Sequence, residues 1–351
     1  MIPPLIEPLL KRYEVFFTQI NMGTFPIRSY PGSEELIAEY AAILNPTEAD
    51  QFFEKFGVGN STDGTHKPFD RQVAYIFLLE ILEAYDAAQY HAIHKGTPFY
   101  FIGWTAYQYF NFNRAMFYMD AAVSEDLKFP QVQAKQSSRA SLNFFLLKPE
   151  PGPSGLPIHL ELIDVVEEVL KDYHTDGGGV ISVDDFRIKF AEDLLYAGPK
   201  QRSVLTALYT FILQYEDCER SIRLRSNTGG SIQPFLDHLF DGARMLESLL
   251  EERGGGGKTL HPKITSTPAL SVNQNVLSGN KTLNEAEQAY QNHIASGSSF
   301  QDRNFSSSYI VRNTTGHSLL WPDQFASISS YKTLYSSLIN SIFWTIEKLW
   351  L

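Results

Sequence analysis

Along most of the chain, apolar residues recur every three or four positions, the spacing that places them on one face of an α-helix. Val204, Leu208, Phe211, Tyr215, Cys218 and Ile222 line one such face within Val204–Arg225. The closing stretch Phe325–Leu351 repeats the pattern with Ile328, Tyr331, Tyr335, Leu338, Ile342, Thr345 and Leu349. The same periodicity predicts helices over Ile158–Tyr173, Phe186–Tyr196, Ile232–Glu252 and Asn284–Ala295. In the first half, Asn45-Pro46-Thr47-Glu48 reads as a helix start, with a capping Asn, proline at the first position and a carboxylate in the first turn. A long helical pattern over Phe69–Tyr90 follows the turn-rich Gly57–Thr65 and is broken by Gly96-Thr97-Pro98. Shorter helices are expected around Phe99–Phe110 and Asn113–Ser124. Period-two alternation is scarce, so the expected fold class is all-α.

Proline and glycine interrupt the periodicity at Lys148–Pro157 (KPEPGPSGLP), as a linker does. This divides the chain into residues 1–150 and residues 155–351. Within the second part, Gly254–Gly257 ends a helix. The Ser/Asn/Thr/Gly-rich run from Lys258 to about Thr282 predicts a flexible insertion near 253–282. In the first part, Ile102-Gly103, Ala106, Ala115, Met119 and Ala122 fall where the two helices of a tetratricopeptide unit cross closely. Over one unit the chain thus resembles a tetratricopeptide-like hairpin. The resemblance implies a regulatory or interaction region of helical hairpins able to bind a protein partner; an ordinary helical hairpin explains the same spacing.

Composition narrows the function classes. Hydrophobic residues make up 43% of the 351 and aromatic residues 13%, enough to form cores and to exclude disorder as the main state. The net charge of −11 excludes a broad basic groove for nucleic acid. Residues 258–351 carry seven Lys/Arg against five Asp/Glu, a balance of +2, so contact with RNA is expected locally near that segment. Cys218 is the single cysteine, which excludes an internal disulfide and fits a cytoplasmic protein. Within Met1–Phe17, Pro3, Pro4, Glu7 and Pro8 stand where a signal peptide needs an unbroken apolar run. No stretch approaches the roughly 18–20 apolar residues of a membrane span. The expected location is the cytoplasm, with no membrane partner.

The most specific motif is Tyr309-Ile310-Val311-Arg312-Asn313-Thr314-Thr315-Gly316-His317-Ser318-Leu319-Leu320-Trp321. An apolar lead-in reaches Arg312 and Asn313, four residues separate Arg312 from His317, and an amphipathic helix follows. This resembles the Arg-x(4–6)-His motif of HEPN-family ribonucleases, over roughly Ile158–Leu351. The resemblance implies an antiparallel helical bundle that dimerises so that two motifs face one cleft. It implies RNA as the substrate of an endoribonuclease, with toxin or phage-defence roles common in the family. The residue types suit the reaction. Histidine titrates near neutrality and can take the proton of the 2′-hydroxyl or give one to the leaving oxygen. A guanidinium offers a fixed fork of donors to the charge that accumulates on phosphorus oxygens. Asn313 would orient the phosphate or hold His317. The chemistry needs no metal or cofactor, and the sequence shows no ligand cluster for one.

Asp217 and Glu219, with Arg220, Arg223 and Arg225 nearby, are candidate supports for His317, or else a mutually paired, solvated helix face. His174–Phe186 (HTDGGGVISVDDF) resembles an EF-hand loop, with Asp176, Gly179, Ser182 and Asp185 at its third, sixth, ninth and twelfth positions. His174 and Gly178 occupy the first and fifth, where calcium requires oxygen ligands, so a glycine-rich turn between helices is the expectation. Gly257-Lys258-Thr259 mimics the end of a phosphate-binding loop, but Glu252 stands at the first-glycine position and a helix precedes it. His91 and His94 lack a third ligand nearby in sequence. The leading reading is a HEPN-type endoribonuclease, and the rival is a non-catalytic helical scaffold that binds protein.

Overall fold

The computed structural model describes residues 87–129, 140–149, 157–228, 231–278, 282–315 and 328–351. The helix start at Asn45 and most of Phe69–Tyr90 lie outside them. Every regular element among the described residues is helical, so the fold is all-α. The chain divides into two compact units, Met1–Phe144 with Pro149–Ile158, and Phe145–Lys148 with His159–Leu351.

The first unit contains α1 (Ala87–Ala92), α2 (Gly96–Gln108), α3 (Phe112–Lys128) and the start of α4 (Ala140–Phe145). Helices α2 and α3 form a tight hairpin around Ile102, Ala106, Ala115, Met119 and Ala122, all buried. A Cβ on Gly103 would stand 3.0 Å from both the Ala115 carbonyl oxygen and the Met119 side chain. Glycine therefore sets how closely the helices cross. Asn111 caps α3 by accepting the Arg114 N–H. Beneath the hairpin is a layer of buried charge. Lys95 donates to the Tyr90 and Ile93 carbonyls and pairs with Glu125 at 2.9 Å. Asp126 takes His94 at 2.9 Å and the Ser141 hydroxyl at 2.7 Å. Such groups tolerate burial because each finds a partner of opposite character.

The second unit contains α5 (Pro157–Thr175) from His159 onward, then α6 (Val183–Asp185), a π-helical turn (Phe186–Ala191) and α7 (Glu192–Ala197). Helix α8 (Pro199–Thr228) is 30 residues long, about 45 Å at 1.5 Å per residue. It is followed by α9 (Gln233–Glu252), α10 (Leu260–Thr265), α11 (Leu283–Ala295), α12 (Phe300–Thr315) and α13 (Ile328–Leu349). Helix α13 runs through the centre, packed by α8, α9, α11 and α12. Its Tyr331, Tyr335, Leu338, Ile342 and Thr345 are all buried, on the face that their spacing predicts.

The periodicity did not reveal α12. Ser306, Ser307 and Ser308 are weak helix formers because their hydroxyls compete for backbone groups. Here all three are buried. Ser308 donates to the Ser337 carbonyl and meets the Ser341 hydroxyl at 3.0 Å, and Ser337 donates to the Ser307 hydroxyl. These bonds to α13 offset the poor local propensity, and small side chains let the two helices lie close.

Composition predicts a flexible insertion near 253–282; of these, residues 253–278 carry short helical elements and buried anchors. Helix α10 is followed by two 3₁₀ turns, Pro268–Leu270 and Gln274–Val276. Leu260, Ile264, Leu270 and Leu277 are buried. Trp344 donates its indole N–H to the Leu270 carbonyl, and Ser306 donates to that of Val276. The anchors are too widely spaced to register as a period. Helix α11 then starts with a full capping box, Thr282 with Glu285. At the chain's end Trp350 bonds Asp193 at 3.0 Å while the Arg253 guanidinium covers its ring.

Candidate functional site

Arg312 lies in the last turn of α12. The Ser308 contacts pack the middle of α12 on the middle of α13, and residues 316–327 link the two in sequence. His317 belongs to that connection, outside the described residues. Asn313 is half-buried at the end of α12.

The partner of Arg312 is one the sequence did not indicate. Its Nε–H donates to Glu247 Oε2 of α9 at 2.8 Å, and its guanidinium carbon stands 5.6 Å from the centroid of the Phe240 ring. The arginine side chain is 27% exposed and the glutamate 13%. Lys263 of α10 lies 3.7 Å from the other Glu247 oxygen and 2.8 Å from Glu251. Glu247 is thus held between two cations, and Lys263 between two carboxylates. His261, also on α10, stands edge-on to Tyr309 one turn before Arg312. Bonding through Nε fixes the plane of the guanidinium and leaves its two terminal nitrogens without a hydrogen-bond partner among the described residues. Chemically, this is an immobilised fork suited to an anion.

Of the two suggested supporting carboxylates, Glu219 is ion-paired and Asp217 faces solvent. Glu219 on α8 takes Arg223 at 2.6 Å and Lys332 of α13 at 2.8 Å, and these cations hold its carboxyl below the usual range against the effect of burial. Asp217 is exposed on the same helix. The carboxylate that meets Arg312 is Glu247, 65 residues away in sequence. No local spacing could signal that pairing.

The EF-hand-like segment is a turn packed on α13. Gly177 has φ +105, a left-handed conformation that favours glycine. A side chain on Gly178 would collide with the Tyr173 ring, and one on Gly179 with the Glu347 carboxylate. Glu347 instead accepts the Tyr173 hydroxyl at 2.7 Å and the Gly179 N–H at 3.1 Å. Asp176 accepts Asn340 at 2.9 Å. Asp185 accepts the Ser182 hydroxyl and pairs with Lys189 at 2.9 Å. The oxygens at the third, ninth and twelfth positions are therefore committed to the protein's own groups. Isothermal titration with submillimolar calcium is expected to show no binding heat. A unit-stoichiometry heat lost in Asp185→Ala would contradict this.

The remaining motifs resolve into structural roles. Gly257 (φ +96) packs on Pro262 and Thr259 precedes α10. His94 is engaged by Asp126, and His91 is exposed at the end of α1. Among the described residues no group of three or more His, Cys, Asp or Glu is placed to hold a metal. No helix there is long and apolar enough to cross a membrane. Comparison with family models, with curated proteins and with solved structures gives no match to this chain. The functional reading therefore rests on the residues themselves.

Proposed function

We propose that this chain is a HEPN-type endoribonuclease that cuts RNA without a metal, with His317 as acid/base and Arg312 stabilising the transition state. One observation carries the reading. Arg312 is fixed by Glu247 at the end of α12 with its terminal nitrogens unbonded among the described residues, five positions before a histidine. In the reaction, a histidine takes the 2′-hydroxyl proton as that oxygen attacks phosphorus. The bond to the 5′-oxygen breaks, and a proton passes to that oxygen. The products are a 2′,3′-cyclic phosphate and a free 5′-hydroxyl. The Arg312 fork would bind the non-bridging oxygens as their charge grows, and Asn313 would orient the phosphate or the imidazole.

The reading extends to a homodimer through the C-terminal half, since two motifs supply two histidines for the acid and base roles. Light scattering of the full chain at micromolar concentration reads that state, and a strictly monomeric species that still cleaves would remove the composite site. The N-terminal helical hairpins, tetratricopeptide-like in spacing, serve in this reading to bind a protein partner or regulate access. A toxin or phage-defence role in the cytoplasm is part of the same proposal. The test is cleavage of RNA by the full chain beside His317→Ala.

A second reading, a non-catalytic protein-binding scaffold, is favoured by a different observation. Tyr109, Phe110 and Phe117 are exposed on the α2–α3 hairpin, and Phe110 adopts φ +58. A left-handed conformation is costly for a bulky residue. If no RNA is cut by the wild type, this reading stands in its place.

A further inference from the structure

The Phe240 ring on α9 is approached by two guanidiniums. Arg312 lies 5.6 Å from its centroid and Arg244, one turn further along α9, lies 5.7 Å away. The two arginines are held differently. Arg312 is bonded to Glu247 at 2.8 Å, whereas the closest recorded carboxylate to Arg244 is Asp241 Oδ1 at 3.7 Å, beyond a direct hydrogen bond. The Arg244 side chain is 64% exposed. Burial, with Asp237 nearby, pushes the Asp241 carboxyl up despite the opposing pull of Arg244, which agrees with a loose pairing. One hydrogen-bonded cation and one largely exposed cation therefore share a half-buried aromatic ring at the candidate site.

We infer that Arg244 completes an RNA-binding subsite with Arg312, in which the two guanidiniums packed over the Phe240 ring contact the phosphates of single-stranded RNA. The inference rests on the ribonuclease reading. A guanidinium binds a phosphate through paired donors, and flat aromatic and guanidinium surfaces accept a nucleobase whatever its identity. Glu247 bonds Arg312 and Asp241 Oδ1 stands 3.7 Å from Arg244, so each guanidinium is already faced by one carboxylate and the subsite suits a local contact, not a long duplex. A chain of net charge −11 thereby gains a local anion site without a basic groove. Arg244 is a binding residue here, and the acid/base work stays with His317.

Binding can be measured apart from cleavage in full-length His317→Ala, using a fluorescein-labelled single-stranded oligoribonucleotide and anisotropy at several salt concentrations. Adding Arg244→Ala is expected to weaken binding about ten-fold, the scale of one charge-assisted contact. The slope of log affinity against log salt should fall by about 0.7, the value of one phosphate contact on a single strand. Phe240→Leu should weaken binding with that slope unchanged. The melting midpoint of Arg244→Ala should match its parent, because the side chain is exposed. If the parent binds RNA and Arg244→Ala binds with the same affinity and slope, the subsite is overturned while the roles of Arg312 and His317 stand. If Arg244→Ala weakens binding but wild type cuts no RNA, the subsite holds and the catalytic reading falls. RNA binding by neither protein overturns the subsite, while cleavage by wild type decides the catalytic reading separately.

Discussion

Arg312→Ala is expected to slow RNA cleavage by about 10²–10³, the usual cost of removing one donor to a developing oxyanion. The loss should fall on the chemical step, because the proposed contact strengthens as charge moves onto the phosphate oxygens. Arg312→Lys keeps the charge but loses the planar fork, so it should recover only part of the rate. The fold should survive, since Glu247 retains Lys263 at 3.7 Å as a second cation. Single-turnover kinetics with a defined oligoribonucleotide, beside a melting curve, separates these effects. A variant that melts as wild type and cuts as fast would remove Arg312 from the mechanism.

The second large effect concerns stability. His238 is buried between α8 and α13, accepting the Tyr331 hydroxyl and donating to the Phe211 carbonyl, each at 2.7 Å. Its ring stacks on Phe211 and Tyr335. Burial pulls its pKa down from 6.5 to about 4. The folded state thus holds His238 neutral, while the unfolded chain protonates it below 6.5. Its contribution is intact above pH 6.5 and is lost as pH falls from there to about 4, by roughly 3 kcal/mol in all. Burial lowers His159 in the same direction, so a difference measurement is required. Urea denaturation of wild type and His238→Gln between pH 7.5 and 4 should show a steeper loss in wild type by that amount. Parallel pH profiles would contradict the assignment.

Much of the bundle was legible because its helices are amphipathic in the ordinary way. The α13 face read from Tyr331 to Thr345 is buried, as are Leu334, Ile339, Phe343 and Ile346 beside it. The α8 face was read less well. Leu205, Tyr209 and Ile212 are buried beside Leu208 and Phe211, whereas Val204, Tyr215 and Cys218 are only partly covered. A helix packed on several sides carries more than one apolar stripe, and a single period underestimates it. Helix α12 is hidden from the period because Asn304, Ser306, Ser307 and Ser308 are buried beside Phe305, Ile310 and Val311, and a hydroxyl reads as polar until its partner across the interface is known. The candidate site shows the same limit. The motif from Tyr309 to His317 is visible in sequence because its parts are local. Glu247, Lys263, Phe240 and Arg244 are not, since only folding brings α9 and α10 to the end of α12.

The central claim is that Arg312 and His317 cut RNA by way of its own 2′-hydroxyl. The most direct measurement incubates the purified full chain with RNA in excess EDTA and identifies the chemistry of the new ends, with His317→Ala in parallel. The account expects cleavage that survives EDTA, products ending in 2′,3′-cyclic phosphate or 3′-phosphate with 5′-hydroxyl partners, and no cleavage by His317→Ala. Products bearing 5′-phosphate, equal cleavage by His317→Ala, or no cleavage by wild type would contradict it.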